Sequence, residues 1–324
     1  MKFRIPRWCL LAGALALASP AVAQSWPVKP VRLIVPTGPG SATDLMARLM
    51  ANEVSKAIGG SVYVENLAGA SGIPAHQTTA RAAPDGYTFL FTNTSGMAIN
   101  PVSFKQLPYN PATDFSAVAM VADLAPQMAG VNKNLPVKTL SELIAYAKAN
   151  SGKVNYAVDA TAGAGVVSGR LLNRRAAMNM SEVSYKSAPQ MAQEVAAGQV
   201  PVLVSSIAAT QVFVDSGDIR PLAVFSARRF PGLPELPTVS ETLPGAVLDG
   251  FFVIVAPAGT PADVAERFNK AVDQFLRTPE APKRLAALGL ATSGAGTPES
   301  TGEFIRLEQK RWRDLATELD IEPQ

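Results

Sequence analysis

The sequence predicts an α/β protein built in two lobes. Short apolar runs with strand character alternate with helix-like stretches along most of the chain, a pattern that argues for parallel sheets flanked by helices. Pro126 breaks one apolar region, and a strongly apolar strand returns at Phe251. The chain is therefore expected to cross out of one lobe near Pro126 and back near Phe251. The expected first lobe spans residues 24–125 with 250–324, and the second spans 126–249.

The stretch from Val31 to Asp44 sets the pattern. Val31, Leu33, Ile34 and Val35 read as a buried strand, which Pro36 ends by withholding a ladder donor. Gly38 and Gly40 free the backbone to turn, and Thr43 and Asp44 sit where a helix takes its cap. The following helix carries Leu45, Met46, Leu49, Met50, Val54 and Ile58 on one broad face and stops at Gly59-Gly60. Amides at such a helix start point outward at the positive end of the macrodipole, so a carboxylate or phosphate could dock there without a basic side chain. A plain strand-to-helix connection would look the same.

The remaining elements follow in order. Val62–Val64 reads as a strand, 67–72 as a loop of small residues, 75–82 as a short helix, Pro84-Asp-Gly86 as a turn and Tyr87–Phe91 as a strand entering a polar loop at 92–96. Apolar segments cover 118–124 and 128–131. Thr139-Leu-Ser-Glu142 is a capping box for a helix with Leu143, Ile144 and Ala147 on one face, closed at Gly152. A strand at 154–158 leads into small residues at 159–165 that open a helix bearing Leu171 and Leu172. Strands are expected at 182–185, 200–204, 222–225 and 251–255, with a helix over 191–197 stopped by Gly198 and a proline-punctuated connection over 228–244. Helices over 262–276, 279–288 and 302–319 complete the chain.

Residues 1–23 read as a secretory leader. Lys2, Arg4 and Arg7 precede an apolar run from Leu10 to Ala18, too short to span a bilayer, and Ala21 and Ala23 suit signal peptidase. The mature chain should begin near Gln24, in the periplasm. Cys9 is the only cysteine and lies in the leader, so no thiol, disulfide or lipid anchor is expected afterwards. The excess of basic residues, 29 Lys and Arg against 26 Asp and Glu, equals the three in the leader. The mature protein is formally neutral, which gives no support for binding nucleic acid or an acidic membrane. With 48% hydrophobic residues, roughly 300 mature residues can bury one large or two medium cores. No later apolar run reaches membrane-span length.

Catalytic signatures are missing. His76 is the single histidine, so neither a catalytic triad nor a histidine-rich metal site can form, and it is expected to be an ordinary residue on a short helix. No nucleophile elbow, dinucleotide fingerprint or Walker motif occurs. Asp44, Asp114, Asp159 and Asp215 are scattered and read as cap or turn residues. What remains is three loops of small residues, at 38–43, 92–96 and 160–165, each following a strand, where open α/β sheets bind ligands. Such loops suit holding polar groups by backbone amides. The expected ligand contacts are Thr37, Gly38, Gly40, Ser41, Ala42, Thr43 and Asp44; Thr94 and Ser95; Asp159, Thr161, Ala162, Gly163, Ala164 and Gly165; and Ser205 after the strand at 200–204. No catalytic residue, metal or cofactor is expected.

These residues resemble the Bug family, the solute-binding receptors of tripartite tricarboxylate transporters. The resemblance covers essentially the whole mature chain. It is carried by Trp26-Pro-Val-Lys-Pro-Val-Arg-Leu-Ile-Val-Pro36, Asp44 with Ala47-Arg48, Val64-Glu-Asn66, Ala80-Arg-Ala-Ala-Pro-Asp-Gly-Tyr-Thr88, Ile99-Asn-Pro101, Leu107-Pro-Tyr109, Asp114-Phe115, Tyr185-Lys186, Gly198-Gln-Val200, Leu236-Pro-Thr-Val239 and Ala256-Pro-Ala-Gly-Thr-Pro261. It implies a type II periplasmic-binding-protein fold, a Venus flytrap of two α/β domains joined by crossing hinge segments. It further implies a monomeric receptor that closes on a small carboxylated solute and delivers it to inner-membrane permease subunits. A receptor without a dedicated permease that presents its ligand to a membrane histidine kinase is the alternative, and an enzyme on the same fold is a third reading.

Family members hold a ligand carboxylate between the first and the second-lobe glycine loops by amides and ordered water. By position those loops are Thr37–Asp44 and Asp159–Gly165 here. Three departures stand out: Pro39 removes an amide while Gly38 supplies one at a usual proline, Val166 replaces a family histidine, and Pro201 replaces a family aspartate. The last two make the second lobe's face more apolar, which favours a carboxylate with a hydrophobic body, such as an aromatic or branched acid, over citrate.

Overall fold

The computed structural model describes residues 26–158, 163–185 and 187–323. In chain order its elements are β1 (Val31–Val35), α1 (Ala42–Ile58), β2 (Val62–Asn66), α2 (Ile73–Ala80), β3 (Thr88–Asn93), α3 (Asn100–Ser103), β4 (Phe115–Ala122), β5 (Gln127–Asn132), α4 (Leu140–Ala149), β6 (Asn155–Val158) and α5 (Ala164–Arg175). They continue with β7 (Ser181–Ser184), α6 (Ala188–Ala196), β8 (Val202–Ser206), α7 (Ile207–Asp215), β9 (Ile219–Val224), β10 (Phe252–Pro257), α8 (Ala262–Leu276), α9 (Ala281–Ala286) and α10 (Pro298–Glu318).

The strands sort into two five-stranded sheets, ordered β2-β1-β3-β10-β4 and β7-β6-β8-β5-β9. The two-lobed α/β expectation holds, but the sheets are mixed where parallel ones were expected. β1 pairs parallel with β2 and β3, whereas β10 runs antiparallel to both β3 and β4. In the second sheet β6 pairs parallel with β7 and β8, whereas β5 is antiparallel to β8 and β9. The reason is the double crossing. β4 leads out of the first sheet into β5, and β9 leads back into β10. A strand that arrives from the other lobe starts at the junction and runs away from it, against neighbours that end there.

Local chemistry accounts for the elements flanking the junction. α1 is capped by Ser41, whose hydroxyl accepts the Asp44 amide, so the cap lies two residues before the expected Thr43. Met46, Met50 and Val54 are buried in the core that α1 shares with α8 and the first sheet, while Leu45 is 47% exposed. The buried stripe is thus narrower than the apolar face read from the sequence. Thr139 caps α4 as expected, and Glu142 reaches past it to the Lys138 amide. The polar loop expected at 92–96 is instead the end of β3 followed by a wide helical turn, Ser95–Ile99. α7 was missed because it begins directly after β8, with no glycine or proline to mark the change.

Two bodies of apolar packing lie on either side of the first sheet. Phe89 and Phe268, with ring centroids 4.2 Å apart, centre the one under α1 and α8. The other is continuous from Ile34 and Leu90 through Phe251 into the second lobe, and it includes Trp312, Leu315 and Leu319 from the end of α10. That helix lies along β4 at its start. At its end Glu318 takes a two-pronged bond from Arg175 of α5, Asp320 pairs with Arg174, and Arg311 donates to the Val247 carbonyl. The last turns of α10 therefore rest on the second lobe. No helix among the described residues is long and apolar enough to cross a membrane.

Candidate functional site

The cleft between the sheets is built from the ends of β1, β3 and β8 and the starts of α1, α5 and α7. Its first wall is the loop before α1. Gly40 adopts φ +83°, a conformation that suits glycine, and this aims its amide back at Asp44 Oδ2, 2.8 Å away. Asn66 Nδ2 donates to Asp44 Oδ1 (2.8 Å) and to the Thr37 carbonyl (2.9 Å), and Arg48 Nε donates to Asp44 Oδ2 (3.0 Å). Burial alone would raise the Asp44 pKa, but the bonds from Arg48, Gly40 and Asn66 outweigh it and hold the carboxyl below its ordinary value. Asp44 is thereby committed to shaping the loop. Thr37 and Ser41 share a hydroxyl–hydroxyl bond of 2.7 Å, and the Ala42 and Thr43 amides, in the first turn of α1, have no intrahelical acceptor.

Two adjoining chambers open along this wall. One, of about 360 Å³, is lined by Pro36, Thr37 and Gly38, by 68–72, and by His76, Asn93, Ser95, Gly96, Ile99, Asn100, Ser103 and Gly163. The other, about 310 Å³ and nearer the crossings, is lined by Ala42, Thr43, 93–95, Ala125 to Gln127, Ala164, Ser206, Ala208, Gly250 to Phe252 and Leu288 to Leu290. Neither lining contains Lys or Arg.

The sequence-derived site residues divide accordingly. Thr37, Gly38, Ser95 and Gly163 reach the first chamber, and Ala42, Thr43, Thr94, Ser95 and Ala164 the second. Gly40, Ser41 and Asp44 support the wall. Thr94 is bound to the second crossing, its hydroxyl accepting the Phe251 amide at 2.7 Å. Gly165 is buried in α5 and Ser205 in β8, where the next residue, Ser206, lines the cleft. Asp159, Thr161 and Ala162 lie outside the described residues. Val166 is 2% exposed within the core.

His76 corrects the expectation of an ordinary helix residue. It is 1% exposed, stacked on Tyr109, and abuts the first chamber. Burial pushes its pKa down to about 4, outweighing the opposing effect of the Gly72 carbonyl, so the ring is neutral near pH 7. Asn93, within the expected 92–96 loop, also lines the first chamber, as do Ser71 and Asn100, which were not among the expected contacts. Asn100 lies in the Ile99-Asn-Pro101 motif, whereas nothing adjacent to His76 signals its burial.

Among the described residues no His, Cys, Asp and Glu group could hold a metal ion. The arrangement can grip a polar solute by amides and hydroxyls.

Comparison with known proteins agrees with this geometry. The family model of the tripartite tricarboxylate transporter family receptor matches residues 46–321. Protein BugT of Bordetella pertussis is 31% identical over 311 residues, covering 95% of each chain. Among solved structures, Rpa4515 of R. palustris with adipate is 33% identical with a TM-score of 0.83, covering 92% of this chain and 100% of its own. MatC (Rpa3494) from Rhodopseudomonas palustris with bound malate is 28% identical with a TM-score of 0.75, covering 90% and 99%. The chain belongs to the tripartite tricarboxylate transporter receptor family, whose Bug proteins are solute-binding receptors with this two-lobed α/β fold.

Proposed function

We propose that this chain is a periplasmic receptor, exported by a leader cleaved near Ala23, that captures a small carboxylate between its lobes and performs no catalysis. The carrying observation is a cleft lined by helix-start amides, serine, threonine and asparagine, with no Lys or Arg among its described lining residues. A carboxylate offers flat paired acceptors that suit such donors, whereas an ammonium group would meet few acceptors. Two related structures contain adipate and malate, which are carboxylates of the same compact kind. The lobes are proposed to divide at 125/126 and 249/250 and to move as rigid bodies about those crossings. The chain is proposed to act as a monomer that presents the solute to a tripartite tricarboxylate permease, a reading that the family match supports.

The residues proposed to meet the ligand are Thr37, Gly38, Ala42, Thr43, Ser95, Gly163 and Ala164. The apolar surface at Ala125, Pro126, Phe251 and Leu290 supports a ligand with a hydrophobic body. A thermal-shift panel of adipate, malate, citrate, aromatic monoacids, aromatic diacids and amines tests the reading, with mass spectrometry of solutes released from the purified protein. Stabilisation by carboxylates, with compaction in small-angle scattering, is expected. Stabilisation by amines alone would overturn it.

A further inference from the structure

Beneath the first chamber, a set of uncharged side chains ties its two edges together. His76 Nδ1 lies 2.8 Å from the Gly72 carbonyl oxygen, which can only accept. The proton therefore sits on Nδ1, and Nε2, 2.7 Å from Thr92 Oγ1, accepts from that hydroxyl. The imidazole stacks on Tyr109 with centroids 4.8 Å apart and planes 15° apart. The Tyr109 hydroxyl donates to the Gly96 carbonyl at 2.7 Å and accepts from Asn100 Nδ2 at 3.1 Å. Asn100 Nδ2 also donates to the Ser71 carbonyl at 3.1 Å. One edge, Ser71-Gly72, is thus joined to the other, at Thr92 and Gly96, through His76, Asn100 and Tyr109.

The fit around the ring is close. A β-carbon on Gly96 would stand 1.9 Å from His76 Nε2 and 2.9 Å from Thr92 Oγ1, so the imidazole occupies the space a side chain there would need. The groups facing the ring are Tyr109, Phe115, Thr92 and the Gly72 carbonyl. Tyr109 is the titratable one, and burial raises its pKa, leaving it a neutral phenol. In the neutral ring Nε2 accepts from Thr92; a proton on Nε2 would keep the Gly72 bond but turn the Thr92 contact round, with Nε2 donating to Oγ1.

We propose that His76 is a positioning residue for ligand capture: as a neutral spacer between Gly72 and Thr92, it holds the 69–72 loop and the Ser95–Ile99 turn at the separation that sizes the first chamber for a compact solute. This rests on the reading of the cleft as the solute site. It assigns a role in recognition to a residue that need not touch the ligand.

The test exploits His76 being the single histidine, which gives one set of imidazole signals. In nitrogen-15 NMR of the folded protein at pH 7, a protonated Nδ1 and a bare Nε2 are expected; the opposite tautomer or an imidazolium would overturn the proposal. His76→Phe keeps a ring on Tyr109 and deletes both bonds. His76→Gln returns an acceptor near the Nε2 position, and His76→Asn a donor near Nδ1. With adipate as probe, affinity should fall at least tenfold in the Phe variant and recover in part in the other two. Amide exchange should quicken at 69–72 and 95–99 in the Phe variant while unfolding stays cooperative. Between pH 7 and 4 the wild type should lose affinity more steeply than the Phe variant, since both share the ligand's own titration. Equal affinity and equal exchange in the wild type and the Phe variant would reduce His76 to a core residue. Failure of the wild type to bind any carboxylate would sink the reading of the cleft instead, and the NMR and exchange measurements would still judge the spacer.

Discussion

Gly289 of the first lobe stands directly against Ala208 at the start of α7 in the second: a β-carbon on Gly289 would lie 2.9 Å from the Ala208 amide nitrogen and 3.3 Å from Ile207 Cβ. The two backbones meet along one side of the second chamber, so a side chain there would act as a wedge between lobes. Gly289→Val is expected to enlarge the radius of gyration in small-angle scattering and weaken carboxylate binding. Gly289 also has φ +69°, so part of any stability loss is conformational. Gly217→Ala, at φ +76° with nothing within 4 Å of the added carbon, isolates that part, expected at about 1–2 kcal/mol without expansion. Equal scattering curves for the two variants would refute the wedge.

Asp44→Asn should disorder the first wall of the cleft. The carboxylate accepts from Gly40, Arg48 and Asn66 with its side chain 2% exposed, and an asparagine would turn an NH₂ toward at least one of those donors. A loss of about 2–3 kcal/mol is expected in a urea titration, within the range for bonds to a buried charged group. Binding of any carboxylate should weaken with it. Unchanged stability would show that the Asn66 and Arg48 bonds rearrange freely.

The attachment of α10 to the second lobe should depend on apolar packing more than on its ion pairs. Trp312 is 2% exposed in the core shared between the lobes, so Trp312→Ala is expected to cost roughly 3–5 kcal/mol. The side chains of Arg175 and Glu318 are 32% and 37% exposed, so Glu318→Gln should cost less than about 1 kcal/mol. Chemical denaturation of both variants ranks the two contributions, and the reverse order would contradict the packing argument.

Two buried groups give opposite pH slopes in nearly the same window. His76 titrates near 4 in the folded protein and at the ordinary 6.5 in the unfolded chain, which therefore binds the extra proton between those values. Its contribution is complete above about pH 6.5 and declines by roughly 3 kcal/mol as pH falls to 4. Asp249 lies at the second crossing, where burial raises its pKa to about 6; the Ala227 amide and Arg311 oppose the rise and Glu308 adds to it. Here the folded state binds the extra proton, so the contribution is present below pH 3.8 and lost as pH rises through 6. The wild type should therefore show little net slope between pH 4 and 6. His76→Phe should become relatively more stable as pH falls through this window, and Asp249→Asn relatively less. Parallel pH–stability curves for both variants would show that neither group titrates as its surroundings imply.

What the sequence determined by itself was local and periodic. The β1 strand, its stop at Pro36 and the end of α1 at Gly59 follow from backbone chemistry within a few residues, and the span of α8 matches the expected 262–276 to the residue. The chain changes sheet between β4 and β5 and again between β9 and β10, and a proline and a strong apolar run stand at those places in the sequence. Tertiary structure alone decided what depends on residues far apart in the chain. The antiparallel direction of β10 comes from its entry out of the other lobe, and Leu45 is exposed because the first sheet and α8 cover only part of the apolar face of α1. Asp44 becomes an anchor because Asn66, 22 residues away, reaches it. His76 was opaque for the same reason. Its burial, tautomer and neutrality are set by Gly72, Thr92 and Tyr109, which meet only when α2, β3 and the loop before β4 pack together.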